Sequence, residues 1–172
     1  SALGNVHSLN LAYTCIEDVS ALGNVHTLNL TYTCIEDVSD LGNVHSLKLK
    51  QCRNIKDVSS LGNVYNLDLS ECNNIEDLSA LCNVHTLDLS FTPHIEDVSA
   101  LGNVHTLKLA YCRNITDVSA LCNVHTLNLS YCENITNVSA LCNVNTLNVK
   151  GCTKIEDLNL LSAFANVKKL IV

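Results

Sequence analysis

The stretch Leu121-Cys122-Asn123-Val124-His125-Thr126-Leu127-Asn128-Leu129-Ser130-Tyr131-Cys132 is copied, with small changes, from one end of the chain to the other. Aligned on its first leucine, the block recurs at Leu3, Leu22, Leu41, Leu61, Leu81, Leu101, Leu121, Leu141 and Leu161, in two steps of 19 residues and then six of 20. Self-similarity at this period predicts a solenoid in which each unit makes one coil and stacks on the next. Leu127 and Leu129 are two apart, so a short strand turns both inward and leaves Thr126, Asn128 and Ser130 outward. Ile135, Val138 and Leu141 come three apart, which suits tight 3₁₀ or extended turns better than an α-helix. The expected fold is therefore a repeat solenoid with a parallel β-sheet on one face, short 3₁₀ or extended turns on the other, and little or no α-helix. Residues 1–172 read as a single solenoid of about eight units of 19–20 residues plus a partial C-terminal unit.

Composition narrows the function. The chain is 47% hydrophobic with two Phe and no Trp, so its core is aliphatic. Ten Lys and Arg against 17 Asp and Glu give a net charge of −7, the wrong sign for gripping a phosphate backbone, and no nucleic-acid partner is expected. No apolar run approaches the roughly 18 to 20 residues that span a bilayer, so no membrane partner is expected either. Ser1-Ala2-Leu3 is in phase with Ser20-Ala21-Leu22, which predicts no signal peptide. The lack of an initiator Met reads as a processed form of something longer.

The ten cysteines follow the repeat. Cys52, Cys72, Cys112, Cys132 and Cys152 share one position, with Thr14, Thr33 and Thr92 substituting. Cys82, Cys122 and Cys142 share another, which holds Gly4, Gly23, Gly42, Gly62 and Gly102 elsewhere; Cys15 and Cys34 sit one place later in the shorter units. A position that accepts Cys or Thr uses a small, weakly polar side chain, so the thiols are expected to be reduced and the location cytoplasmic. Rungs roughly 4.8 Å apart also lie within bridging range, so oxidation is physically open to them.

Val124 to Cys132 matches the pattern L-x-x-L-x-L-x-x-N/C, and the chain on this ground resembles the leucine-rich repeat proteins, through eight units with a truncated ninth ending at Val172. The Ile-x-Asp-Val-Ser-x-Leu run, as at Ile95 to Leu101, is similar to the internalin type, whose units read I-x-D-I-x-P-L. These units lack one Leu-x-x triplet, six of them insert a residue before the isoleucine, and Phe164 restores the triplet in the last. The wording Leu-Gly-Asn-Val-His-Thr-Leu resembles more loosely the leucine-rich arrays of large DNA viruses of amoebae, which would place the protein in host-cell cytoplasm.

Three polar columns read as structural. Asn5, Asn24, Asn43, Asn63, Asn83, Asn103, Asn123 and Asn143 are expected to hydrogen-bond the turning backbone between coils. Ser20, Ser39, Ser59, Ser79, Ser99, Ser119 and Ser139 are expected to cap the turn that follows through their hydroxyls. Asp18, Asp37, Asp57, Asp77, Asp97, Asp117 and Asp157 stack beside them, with Asn137 in the series; a calcium ladder would not take Asn at one rung, and structural capping is the reading.

Function is expected on the strand face, the one rigid array of repeated outward side chains. Its middle column runs Asn10, Asn29, Lys48, Asp68, Asp88, Lys108, Asn128 and Asn148. One rim carries Tyr13, Tyr32, Phe91, Tyr111 and Tyr131, broken by Gln51 and Glu71, and aromatic residues carry disproportionate binding energy. The other rim is a histidine column, His7, His26, His45, His85, His105 and His125, with Tyr65 and Asn145 in the gaps. Two imidazoles in a row make only a weak, open metal site, so no metal and no cofactor is expected; His85, His105 and His125 are the weak candidates. No phosphate loop, nucleophile elbow or metalloprotease motif is present, so no enzyme is expected. The reading is a non-enzymatic module binding an unknown protein through the strand face and Tyr rim, with a structural or self-assembling solenoid as the alternative and metal binding on the His column as the minor one. Val6, Leu9 and Leu11 begin the stack without the lysines that Lys168 and Lys169 offer at the other edge, which predicts a homodimer through the N-terminal edge.

Overall fold

Each unit contributes one three-residue strand and one turn, and the computed structural model describes residues 6–156 and 166–172 of the stack so formed. The strands are β1 (Ser8–Asn10), β2 (Thr27–Asn29), β3 (Ser46–Lys48), β4 (Asn66–Asp68), β5 (Thr86–Asp88), β6 (Thr106–Lys108), β7 (Thr126–Asn128), β8 (Thr146–Asn148) and β9 (Lys169–Ile171). They form one parallel sheet in sequence order, with no crossover. Register is kept by the repeat itself: Leu9, Leu28, Leu47, Leu67, Leu87, Leu107, Leu127, Leu147 and Leu170 pair rung to rung. Asn5, Asp157, Phe164 and the restored triplet lie outside the described residues.

The core is a bundle of columns running the length of the stack. In the unit around β7, Leu121, Val124, Leu127, Leu129, Cys132, Ile135 and Val138 are all buried. Each fully buried aliphatic contributes roughly 1.5 to 3 kcal/mol, and it does so only because neighbouring coils cover its two sides. The return path is a 3₁₀ turn, Ser119–Asn123 in that unit, closed by Leu121 N–H donating to Val118 O at 3.0 Å. Apolar residues three apart fit this turn because 3₁₀ side chains at i and i+3 eclipse.

Two expectations about polar columns are corrected, and the capping role of the Asp column is seen. The Asn24 to Asn143 column is exposed, and among the described residues Asn24 to Asn123 make no side-chain hydrogen bonds. The turn leaves them nothing to satisfy, since Val124 N–H already donates to Leu121 O at 3.1 Å. Backbone between coils is instead bonded by a different asparagine set: Asn54, Asn74 and Asn134 donate from Nδ2 to Cys34 O, Arg53 O and Arg113 O at 3.1, 2.6 and 2.8 Å. The Ser hydroxyls do not cap either. Each Ser N–H donates to the carboxylate two residues earlier, as Ser119 to Asp117 Oδ1 at 2.8 Å. Asn137 does the same for Ser139 at 2.8 Å, because an amide oxygen accepts as a carboxylate does. These bonds to Ser119 hold the Asp117 carboxyl below its ordinary range.

The cysteine column is a hydrogen-bonded ladder. Cys52, Cys72, Cys112, Cys132 and Cys152 donate to Leu30 O, Leu49 O, Leu89 O, Leu109 O and Leu129 O, one coil back, at 3.0, 3.0, 3.2, 3.0 and 3.0 Å. Burial pushes their thiols up, Cys72 to about 12. Thr33 fits the same column because its hydroxyl reaches Leu30 O at 2.8 Å.

Candidate functional site

The strand face is built around its middle column. Asn10, Asn29, Lys48, Asp68, Asp88, Lys108, Asn128 and Asn148 lie side by side in register on β1 to β8. Most of this column also has a local task. Oδ1 of Asn29, Asp68, Asp88, Asn128 and Asn148 accepts the backbone N–H two residues on, all at 3.0 Å. Such Asx turns bend the chain out of the strand. Lys48 and Lys108 cannot accept a hydrogen bond, so at those rungs the sequence has given up the turn bond for an exposed cation. Lys108 Nζ lies 3.2 Å from the second oxygen of Asp88. The four charged candidates, Lys48, Asp68, Asp88 and Lys108, thus form one contiguous, nearly neutral row across β3 to β6.

The column expected as the third outward one is largely interior. Ser70, Ser90, Ala110 and Ser130 are 6 to 8% exposed. The turn that follows folds the chain over them, where a third outward column would require the strand to continue. This shrinks the outward face to Thr/Ser and Asn/Asp/Lys columns between two rims.

At the first rim every side chain stands on left-handed backbone. Tyr13, Tyr32, Gln51, Glu71, Phe91, Tyr111 and Tyr131 have φ between 59° and 64°, and Gly151 has 75°. Left-handed backbone costs a bulky L-residue roughly 1 to 2 kcal/mol. Two interactions offset it. Each rim N–H bonds the next coil, as Tyr111 to Ser130 O at 2.9 Å. The rings also stack: Tyr13 on Tyr32 at 4.9 Å, Phe91 on Tyr111 at 4.6 Å, and Tyr111 on Tyr131 at 4.5 Å between centroids. Aromatic pairs are worth about 0.5 to 1.5 kcal/mol beyond their burial, so the two effects nearly cancel. Between the stacks, Gln51 hydrogen-bonds Glu71, and Lys50 pairs with Glu71 at 3.0 Å. The five aromatic candidates are therefore two short stacks separated by a polar pair. Tyr13, Tyr32 and Phe91 are the exposed members.

The second rim is a longer stack. His7, His26, His45, Tyr65, His85, His105 and His125 follow one another at centroid distances of 4.3 to 4.9 Å. Tyr65, which reads as a gap in the histidine column, is a rung of it. Nδ1 of His26, His85 and His105 lies 3.3 Å from the hydroxyl of the following threonine. Burial first, then the charges of the neighbouring imidazoles, lowers the pKa of His26 and His105. Near-parallel planes keep the in-plane lone pairs of His85, His105 and His125 parallel, whereas a metal ion needs them convergent. Among the described residues there is no group of three or more His, Cys, Asp or Glu suited to a metal ion.

Sequence reasoning missed His94. It takes the place of the bonding asparagines, donating from Nε2 to Ile75 O at 2.7 Å while its Nδ1 is buried without a partner. It borders a surface cavity of about 750 Å³ among the turns at Asp57, Asn74 and Asp77. The preceding Pro93, unique in the chain, was the available signal.

A family model described as Leucine Rich repeat matches residues 120–142. None of the curated proteins matches the chain. Among solved structures, an internalin (InlF) from Listeria monocytogenes is similar over 100% of this chain and 62% of its own, with TM-score 0.75 and 24% identity. Internalin C2 (InlC2) of the same organism is similar over 98% of this chain and 81% of its own, with TM-score 0.77 and 22% identity. The functional domain of InlJ, also from Listeria monocytogenes and described as including a cysteine ladder, is similar over 90% of this chain and 46% of its own, with TM-score 0.53 and 20% identity. This chain thus spans under two thirds of the length of InlF. Parallel strands in one open sheet joined through 3₁₀ turns, the repeat match at residues 120–142 and these likenesses agree on the fold: the chain has the leucine-rich repeat solenoid architecture that internalins display.

Proposed function

We propose that the chain is a non-enzymatic, protein-binding leucine-rich repeat module whose contact surface is the strand face together with the tyrosine rim. Leucine-rich repeat solenoids in general present such a sheet face to protein partners. The observation that carries the reading is local divergence at β3 to β6. Lys48 on β3 and Lys108 on β6 replace side chains that elsewhere bond the turn, and Gln51 and Glu71 interrupt the ring stack on the β3 and β4 coils between them. A spacer would gain nothing from breaking two structural columns at one place, whereas a binding surface needs such differences. Exposed Tyr32 and Phe91 flank the break and would supply apolar anchors around the charged row. The partner is an unknown protein. The thiol ladder fits a reducing, cytoplasmic setting.

The test is affinity capture with three baits: the intact chain, a Tyr32→Asn/Phe91→Asn variant, and a Lys48→Ala/Lys108→Ala variant. Asn is chosen at the rim because it tolerates left-handed backbone. A partner retained by the intact chain and lost from either variant is the expected result. Retention of every captured protein by both variants counts against this face.

Self-association through the edge of β1 is a second reading. There Val6 is 37% exposed, and Leu9 and Leu11 are only partly buried, unlike their counterparts in later coils. Sedimentation at increasing concentration would show a dimer; a monomer throughout rejects this reading.

A further inference from the structure

Seven stacked rings form the histidine rim, and a stack presents edges, not faces. Each inner ring has both faces covered by neighbours at 4.3 to 4.9 Å. His26, His45, His105 and His125 are exposed residues, and the column continues beyond Asn145 to Lys168, whose N–H bonds Asn145 O at 2.9 Å. We propose that this rim is an acid-gated binding site for a linear sulfated polysaccharide, which it holds through a row of imidazolium edges with the hydroxyls of Thr86, Thr106 and Thr126 alongside.

Gating follows from proton bookkeeping within the row. With Nδ1 within 3.3 Å of the threonine hydroxyl at His85 and His105, a neutral ring can accept the hydroxyl proton. Once the ring is protonated, Nδ1–H must donate to that oxygen, and the hydroxyl proton turns outward as a second donor to the ligand. Protonation therefore adds a cation and frees a donor at the same rung. The titratable and charged groups on flanking elements are few. The turns before the column carry Asp40, Cys82, Cys122 and Cys142; the strands after it carry Lys48, Asp68, Asp88 and Lys108 further along; β9 adds Lys169. None of them is among the causes that lower His26 and His105, which are burial and the adjacent imidazoles. An imidazole ordinarily titrates just below neutrality, so acid is the condition that charges such a rim, and among the described residues no carboxylate forms an ion pair with it.

Two features choose the ligand. Sulfate esters stay ionised at the pH that charges imidazole. A strip of small hydroxyl and amide side chains beside the row, Thr86, Thr106, Thr126 and Asn128, suits a hydroxyl-bearing chain. Nucleobases are disfavoured because single-strand binding needs free ring faces to stack on, and here they are already covered.

The experiment measures binding of heparin, a single-stranded oligonucleotide and uncharged dextran to the chain at pH 5.5 and 7.5 at one ionic strength. Heparin is expected to bind at least about tenfold more tightly at pH 5.5, with dextran silent and the oligonucleotide weaker. His85→Asn/His105→Asn/His125→Asn should lose that gain; Asn is chosen because Asn145 already occupies the column. The single variant His125→Asn, beside Asn145, should lose part of it and guards against a folding defect in the triple variant. Equal heparin affinity at the two pH values, a gain retained in the folded variants, or oligonucleotide binding as tight as heparin overturns the proposal.

Discussion

The thiol of Cys132 donates to the carbonyl oxygen of Leu109, one coil earlier, at 3.0 Å. A thiol so placed is both buried and held in its protonated form, since burial raises its pKa well above the ordinary 9.0. The nucleophile in alkylation is the thiolate, so such cysteines are unreactive while folded. The expectation drawn from the sequence alone would protect most of the ten; the structure protects five. Cys15, Cys34 and Cys142 are exposed and Cys82 and Cys122 half-buried, whereas Cys52, Cys72, Cys112, Cys132 and Cys152 are buried. Maleimide labelling of native, unreduced protein should therefore stop near five, and denaturant should release the rest. Fewer than ten thiols after unfolding would reveal disulfides.

Leu107 and Thr106 are neighbours on β6 with opposite orientations, the leucine fully buried and the threonine half-buried on the strand face. Leu107→Ala should cost about 2 to 5 kcal/mol through the cavity it leaves. Thr106→Ala should lie within about 0.5 kcal/mol of the parent. Urea denaturation decides it, and equal midpoints for the two variants would overturn the inward and outward assignment.

The alternation that places Leu107 inside was legible because period 2 over Leu-x-Leu and period 3 over Ile-x-x-Val-x-x-Leu leave few other packings. The two rims were legible only as columns. That Tyr131 stands at φ 60° is invisible from its side chain, because aromatic residues do not signal left-handed backbone; the glycine at the equivalent Gly151 was the hint. Capping was assigned to the Ser119 hydroxyl as well as to the Asp column, and only Asp117 performs it, since sequence spacing shows which polar groups are near a turn and not which one accepts. Ser130 was placed outside for a similar reason: two-residue alternation was extended to a residue two places past the end of the strand at Asn128.

Asp117 accepts from Ser119 N–H with an oxygen that an amide would also provide. Asp117→Asn should therefore leave the melting temperature nearly unchanged, as Asn137 does naturally, while Asp117→Ala should lower it. The pH dependence follows from the direction of the shift. Asp18, Asp37, Asp57, Asp77, Asp97 and Asp117 all lie below their ordinary 3.8 in the folded chain, chiefly through bonds from the following serine. Just below that value the unfolded chain binds more protons, so this contribution is complete above about pH 4 and is lost as pH falls through the folded values. A melting temperature that fell between pH 4 and 3 equally in the parent and in a chain with several of these aspartates changed to Asn would show that the turns are not its source.

Gly151 closes the tyrosine rim, with the ring of Tyr131 lying against it. It is the one residue of that column with no Cβ, and a Cβ added there would lie 2.6 Å from Tyr131 Cδ1. Gly151→Ala must meet two costs. One is the left-handed backbone at φ 75°, roughly 1 to 2 kcal/mol. The other is displacement of the Tyr131 ring from the stack it shares with Tyr111 at 4.5 Å. A double-mutant cycle separates them, because the backbone cost survives removal of the ring and the steric cost does not. Gly151→Ala is expected to destabilise by about 1 to 3 kcal/mol in the parent and by less when Tyr131→Asn is also present. A Gly151→Ala variant within about 0.5 kcal/mol of the parent, measured by urea denaturation, would mean that the rim does not require left-handed backbone at this rung.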